Sequence, residues 1–156
     1  MNEHGFIRAV HRHLPDNLFS WKIHDKFAGG VPDAMYVGPA GVLFIEYKYL
    51  KDFPKRPNTP VKINVSPLQI AWMEQIALAS SVTVTCQICI GCANNAFIVS
   101  IDELSSTISS QEAQSISVSF SKIAQHIEEK IGYVKHKSGT EPTSALEKEK
   151  RHLRIH

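Results

Sequence analysis

Three charged side chains stand where charge is costly. In GVLFIEYKYL (residues 41–50), Glu46 and Lys48 interrupt an otherwise apolar run, and Asp33 lies thirteen positions before Glu46. Burying unpaired charge costs several kcal/mol, so the placement needs a reason. The run alternates as a strand does, with Val42, Phe44, Glu46 and Lys48 on one face and Leu43, Ile45 and Tyr47 on the other. Gly38-Pro39-Ala40-Gly41 is a turn, so Asp33 to Val37 and Val42 to Lys48 form a hairpin. Pairing Val37 with Val42 sets residue i against residue 79 − i, and hence Asp33 against Glu46. Two carboxylates across a ladder repel. A hard divalent cation such as Mg²⁺ reverses that sign, taking carboxylate oxygens and completing its shell with waters and phosphate oxygens. Lys48, next on the same face, is suited to hold a phosphate or to help deprotonate a water on the cation. The bland alternative is a solvent-exposed acid pair bridged by Lys48.

Other elements must hold these groups in place. Phe6, Ile7, Val10 and Leu14 recur at helical spacing, which predicts a helix over Asn2 to Leu14 that Pro15 stops. Phe19 to Ile23 alternates like a short strand, and Gly29-Gly30 breaks the pattern. Those two glycines let a bulky backbone, such as a phosphodiester chain, pass close to Asp33. Residues 51–60, KDFPKRPNTP, hold three prolines and three basic residues and read as an exposed loop. Ser66 caps a helix with Pro67 at its first position, running to about Ala79. Val82 to Ile90 reads as a buried strand, Gly91 to Asn95 as a turn, Ala96 to Ile101 as a further strand, and Ser119 to Ile131 as an amphipathic helix. The order predicts an α/β domain over 1–132, with a mixed central β-sheet flanked by helices. Residues 133–156 read as a basic tail, loose or carrying a late helix around Ser144 to Leu153.

With the residues laid out, a resemblance is visible. Pro32-Asp33, followed by Glu46-Tyr47-Lys48 in a hydrophobic strand, resembles the PD-(D/E)XK nuclease signature. The fuller string GGVPDAMYV, GVLFIEYKYL and SPLQIAWMEQI is similar to the VRR-NUC branch, which pairs those strands with a helix bearing Gln (here Gln69) and Trp (here Trp72). The resemblance covers roughly residues 1–90 and implies a restriction-endonuclease-like core. It implies that Asp33 and Glu46 ligate Mg²⁺, with Mn²⁺ as a substitute, and that the Tyr47 backbone carbonyl adds a ligand. It implies that Lys48 orients or activates the attacking water and that Gln69 supports the site. Such sites commonly take a first-helix glutamate, and Glu3 is the only acid in this helix. Standalone domains of this kind often act as homodimers on branched DNA such as four-way junctions. A structure-selective Mg²⁺-dependent DNA endonuclease is therefore expected, with a site-specific homing or restriction-type cutter and a catalytically inactive nucleic-acid-binding module as alternatives. The basic loop between Lys48 and Ser66 departs from the pattern and puts direct transfer of specificity in doubt.

Charge and composition narrow the classes further. The chain has 156 residues, 43% hydrophobic and 21% charged, which excludes wholesale disorder, collagen and coiled coil. No apolar run reaches the roughly 20 residues of a membrane span. The start, MNEHGFIRAVHRHL, carries charge throughout and no small-residue cleavage site, so an intracellular rather than a secreted protein is expected. The net charge of +2 divides unevenly: +3 over residues 1–62, −4 over 63–132 and +3 over 133–156. A polyanion is drawn to the two ends, while ordinary surface scatter is the competing account. Lys26, Lys51, Lys55, Arg56 and Lys62, with Gly29 and Gly30, are the candidate DNA contacts; a solvated loop is the alternative for the four after Lys48. His11, His13 and His24 could touch phosphates, although plain solvated surface suits them better. A metal-free protein-interaction domain using the acidic middle is a further rival. Cys86, Cys89 and Cys92 form C-x2-C-x2-C, but no fourth cysteine completes a zinc or iron–sulfur site. On a strand, positions 86 and 89 face opposite sides, so buried free thiols are the better account, with His126 as a conceivable completing ligand. No small-molecule cofactor beyond the metal is expected.

Overall fold

The computed structural model describes residues 1–23, 29–80 and 82–134. Its elements are α1 (Glu3–His11), β1 (Phe19–Lys22), β2 (Ala34–Gly38), β3 (Gly41–Leu50), α2 (Pro67–Ala79), β4 (Val84–Cys92), β5 (Asn95–Ser100), α3 (Ser110–Ile116), β6 (Val118–Ser119) and α4 (Phe120–Lys130). The six strands form one sheet in sequential order. Only β3 and β4 run parallel, as their α2-bearing connection requires; every other pair is antiparallel. This is the α/β class with a mixed sheet between helices that the sequence predicts.

The alternation along β3 divides the interior into two layers. Leu43, Ile45 and Tyr47 pack with Phe6 and Val10 of α1 and with Ile123 and Ile127 of α4. Phe44 packs on the other face with Met73 of α2, Ile88 and Ile90 of β4, and Phe97 of β5. Two buried faces explain why β3 and β4 read as continuous apolar runs. Glu46 and Lys48 therefore look toward α2.

Three expectations are corrected in detail. The β2–β3 turn is tighter than four residues, since Gly38 pairs with Gly41 across Pro39-Ala40. β4 runs through Gly91 to Cys92 instead of turning there, because both residues pair with Tyr49-Leu50 of β3 and with Asn95-Ala96 of β5; a Cβ at Gly91 would lie 2.9 Å from the Phe6 ring, so the glycine is the groove that admits α1. The short helix α3 was not anticipated, its run SQEAQSI being too polar to show a buried stripe. It pins the proline-rich loop: the Pro60–Ser109 bridge ties them, Ser110 donates to the Thr59 carbonyl, and its hydroxyl donates to Pro54 O.

Tyr133, the first residue of the expected tail, donates its hydroxyl to Asn17 Oδ1. The late helix expected around residues 144–153 lies outside the described residues, as do His24 and Lys26.

Candidate metal centre

The hairpin register is the expected one: Val37 pairs with Val42 and Ala34 with Ile45. Asp33 and Glu46 thus come next in the ladder, but β2 begins one residue later than anticipated. At that point the strands part, and the Asp33 carboxylate takes the place of the backbone acceptor: Tyr47 N–H donates to Asp33 Oδ2 at 2.9 Å. The N–H and C=O of one strand residue point the same way, so the Tyr47 carbonyl lies on the Asp33 side as well.

Glu46 is 2 % exposed. Its Oε1 carries two partners. Lys48 Nζ stands 2.6 Å away, and Gln69 Nε2 donates to the same oxygen. The cap of α2 decides which end of the Gln69 amide faces the acid. Ser66 N–H donates to Gln69 Oε1 (2.9 Å), while Gln69 N–H donates to Ser66 Oγ (3.2 Å). This is a capping box in which the third helical residue does two jobs. The amide oxygen is committed to the cap, so the amide nitrogen is what reaches Glu46. Gly30 lets this helix end come close: its φ is +92°, and a Cβ there would lie 2.4 Å from the Leu68 carbonyl oxygen. The close approach this glycine allows in the structure is to α2.

Glu46 Oε2 is buried and has no hydrogen-bond partner. Burial raises the Glu46 pKa above its usual value, the Lys48 hydrogen bond opposes that rise, and the negative charge of Asp33 adds to it. A buried carboxylate oxygen without a donor, in a side chain that also feels the charge of a second carboxylate, is an arrangement a cation stabilises and a bare protein does not. The donor set is all oxygen, with one amine alongside, which suits Mg²⁺ or Mn²⁺ better than a softer ion. The residues present fit such an ion. Among the described residues no group of three His, Cys, Asp or Glu side chains converges on one point, so the centre would rest on two carboxylates and a main-chain oxygen.

The structure brings Asp33, Glu46, Lys48 and Gln69 together. Glu3 is not joined to them; it occupies the first turn of α1, which packs against the opposite face of the sheet. Lys51, Lys55, Arg56 and Lys62 are exposed along the pinned loop. Trp72 packs edge-on to Phe44, with centroids 5.1 Å apart, as a core residue. The three cysteines are free and buried, with Cys86 and Cys89 in the two different core layers. His126 bonds Gln87 Oε1 at 2.9 Å rather than serving those thiols.

Sequence reasoning missed the support beneath the site. Tyr47 and Tyr36 share a hydroxyl hydrogen bond of 2.7 Å, and His11 Nε2 lies 2.7 Å from the Tyr36 hydroxyl. Both phenols are fully buried, and burial pushes their pKa values up, so they stay neutral. His11 is therefore not the solvated residue expected. Its position four after Ile7 and next to Val10, on the apolar stripe of α1, was the available signal.

No family model and no curated protein matches the chain, so the branch read from the motifs stands on those motifs. Among solved structures, the chain is similar to Hjc, a Holliday junction resolvase from the archaeal hyperthermophile Archaeoglobus fulgidus. The identity is 10% and the TM-score 0.48, over 80% of this chain and 97% of that one. At that identity no residue role is carried across.

Proposed function

We propose that this protein is a divalent-metal-dependent nuclease of the PD-(D/E)XK type that hydrolyses phosphodiester bonds in DNA. The observation that carries the reading is the buried, partnerless Oε2 of Glu46, set beside Asp33 on a face that also holds Lys48. Asp33, Glu46 and the Tyr47 carbonyl would hold Mg²⁺ or Mn²⁺. When bound, the ion supplies Lewis-acid activation of the phosphodiester and of the attacking water. The remaining roles belong to the chain. Gln69 locks the Glu46 carboxylate so that Oε1 is occupied and Oε2 stays open. Lys48, steadied by Glu46 and 18% exposed, places an ammonium where charge develops on the phosphate. Asp33 spends one oxygen on Tyr47 N–H, which fixes its own orientation and that of the Tyr47 peptide.

Branched DNA is the substrate we favour. A single site per chain cuts one strand, so paired cuts across a junction need two copies, and a homodimer is part of the proposal. Among the described residues no helix is long and apolar enough to cross a membrane. The test is a panel of four-way junction, flap, linear duplex and single strand, incubated with Mg²⁺, Mn²⁺ or EDTA. The expected outcome is metal-dependent cutting with the junction preferred, lost in Asp33→Ala and Lys48→Ala. Equal cutting by wild type and either variant removes these residues from the reaction.

A further inference from the structure

α2 covers only part of the face that carries the acids. It packs over β3 and β4 through Trp72 and Met73, and among the described residues the outer strand β1 keeps its large side chains exposed. On this strand Phe19 is 57% and Trp21 61% exposed. The register fixes which way they face. Phe19 pairs with Val37 and Trp21 with Met35, which pair in turn with Val42 and Phe44 of β3. Directly opposed residues share a face, so both rings stand on the same side of the sheet as Glu46 and Lys48. The next row in the same direction is that of Asp33, whose carbonyl accepts from Ile23 N–H.

The spacing says what these rings suit. Trp21 is two residues along and one strand out from Asp33, about 7 Å by about 5 Å, or roughly 8 Å between their Cα atoms. Phe19 is about 7 Å further on. Stacked nucleotides repeat every 3.4 Å or so along a strand, about half the Cα spacing of the two residues. Rings mounted at this spacing do not match bases still stacked in a duplex. They suit successive bases of a strand whose stacking is opened, each base taking one aromatic face. Residues 17–23 (NLFSWKI) contain no acid and one lysine, so nothing on the strand repels a phosphate chain. A strand of four residues is far too small to make a protein interface alone, which needs roughly 800 Å² from each partner.

We infer that Trp21 and Phe19 form a stacking platform for unpaired nucleobases adjoining the phosphate held at the Asp33–Glu46 centre. The inference rests on the nuclease reading and refines it: at the branch point of the substrate, bases beside the scissile bond leave their pairs and are taken up by the two rings.

The experiment separates binding from cleavage. The chain has two tryptophans, Trp21 and the core residue Trp72, so emission of wild type is compared with that of Trp21→Phe. Each is titrated in EDTA with a single-stranded 12-mer, with an abasic strand of equal length and charge, and with a blunt duplex. The expected result is quenching of Trp21 by the base-bearing strand and about tenfold weaker binding after Trp21→Ala or Phe19→Ala. The abasic strand, having lost both stacks, binds wild type about a hundredfold more weakly than the natural strand does, and Trp21→Phe keeps most of the affinity. Equal binding of abasic and natural strands by wild type overturns the inference, whatever the variants do. So does concentration-dependent self-association that Trp21→Ala abolishes, which would make the patch a contact between copies. Lost stacking with metal-dependent cleavage intact removes this inference alone; stacking without cleavage removes the nuclease reading instead.

Discussion

Replacing Asp33 by Asn tests the candidate centre at its electrostatic root. The substitution removes one of two facing charges and keeps the shape. An amide oxygen still accepts from Tyr47 N–H, so the bond that parts the strands survives. What disappears is the repulsion that adds to the raised Glu46 pKa. Unit charges 4 Å apart interact by about 1 kcal/mol in a water-like medium and about 4 kcal/mol at an effective dielectric of 20. Asp33 is only half-buried, so the lower figure applies, and the metal-free variant should gain about 1 kcal/mol. For a domain of this size that is roughly 2–4 °C in Tm. The wild type should respond oppositely to metal. An ion at one hundred times its Kd stabilises by about 2.7 kcal/mol, or roughly 5–11 °C. Calorimetric melts in EDTA and in saturating Mg²⁺ or Mn²⁺ should therefore cross: the variant melts higher without metal, the wild type higher with it. An Asp33→Asn protein that melts lower than wild type in EDTA, with a wild type unmoved by either ion, refutes the reasoning and leaves the acids as a structural pair.

Gln69→Glu should keep α2, because a glutamate serves the capping box as well as a glutamine, yet it sets a third carboxylate against Glu46. Cleavage should fall by more than tenfold with helix content by circular dichroism unchanged; retained cleavage would show that the amide nitrogen is dispensable. Acidification should destabilise the protein below about pH 6.5. Burial lowers the pKa of both His11 and His126, with Lys22 and Lys130 respectively adding to the effect. The unfolded chain then binds more protons as pH falls, so stability is lost between the ordinary histidine value and the depressed folded ones. Glu46, with its raised pKa, acts in the opposite sense at lower pH. Denaturant melts from pH 7.5 to 5.5 should show the decline, shallower in His126→Gln; a slope of the other sign contradicts the burial argument.

The meeting of Asp33, Glu46 and Lys48 was legible in the chain because it depends on local rules. Alternation puts residues 46 and 48 on one face, and a tight turn at residues 38–41 sets the register that brings residue 33 opposite. The ends of α2 were legible for the same reason, since Ser66 and Pro67 are local start signals. What the chain could not announce is what depends on partners distant in sequence. The polar run of α3 becomes a helix when Ser110 finds the proline-rich loop to bond and Ala113 enters the core layer of Met73 and Phe97. Gly91 stays in a strand because Tyr49, far away in the sequence, pairs with it, and it has no side chain where the Phe6 ring packs. His11 is drawn inward by a tyrosine 25 residues away.

Residue type and spacing alone determined that two acids and an amine share a face, since strand geometry repeats every two residues whatever surrounds it. Tertiary packing alone decided that one carboxylate oxygen is left without a partner. That oxygen is left so because α2 docks at a distance set by Gly30, commits the Gln69 oxygen to its own cap, and buries Glu46.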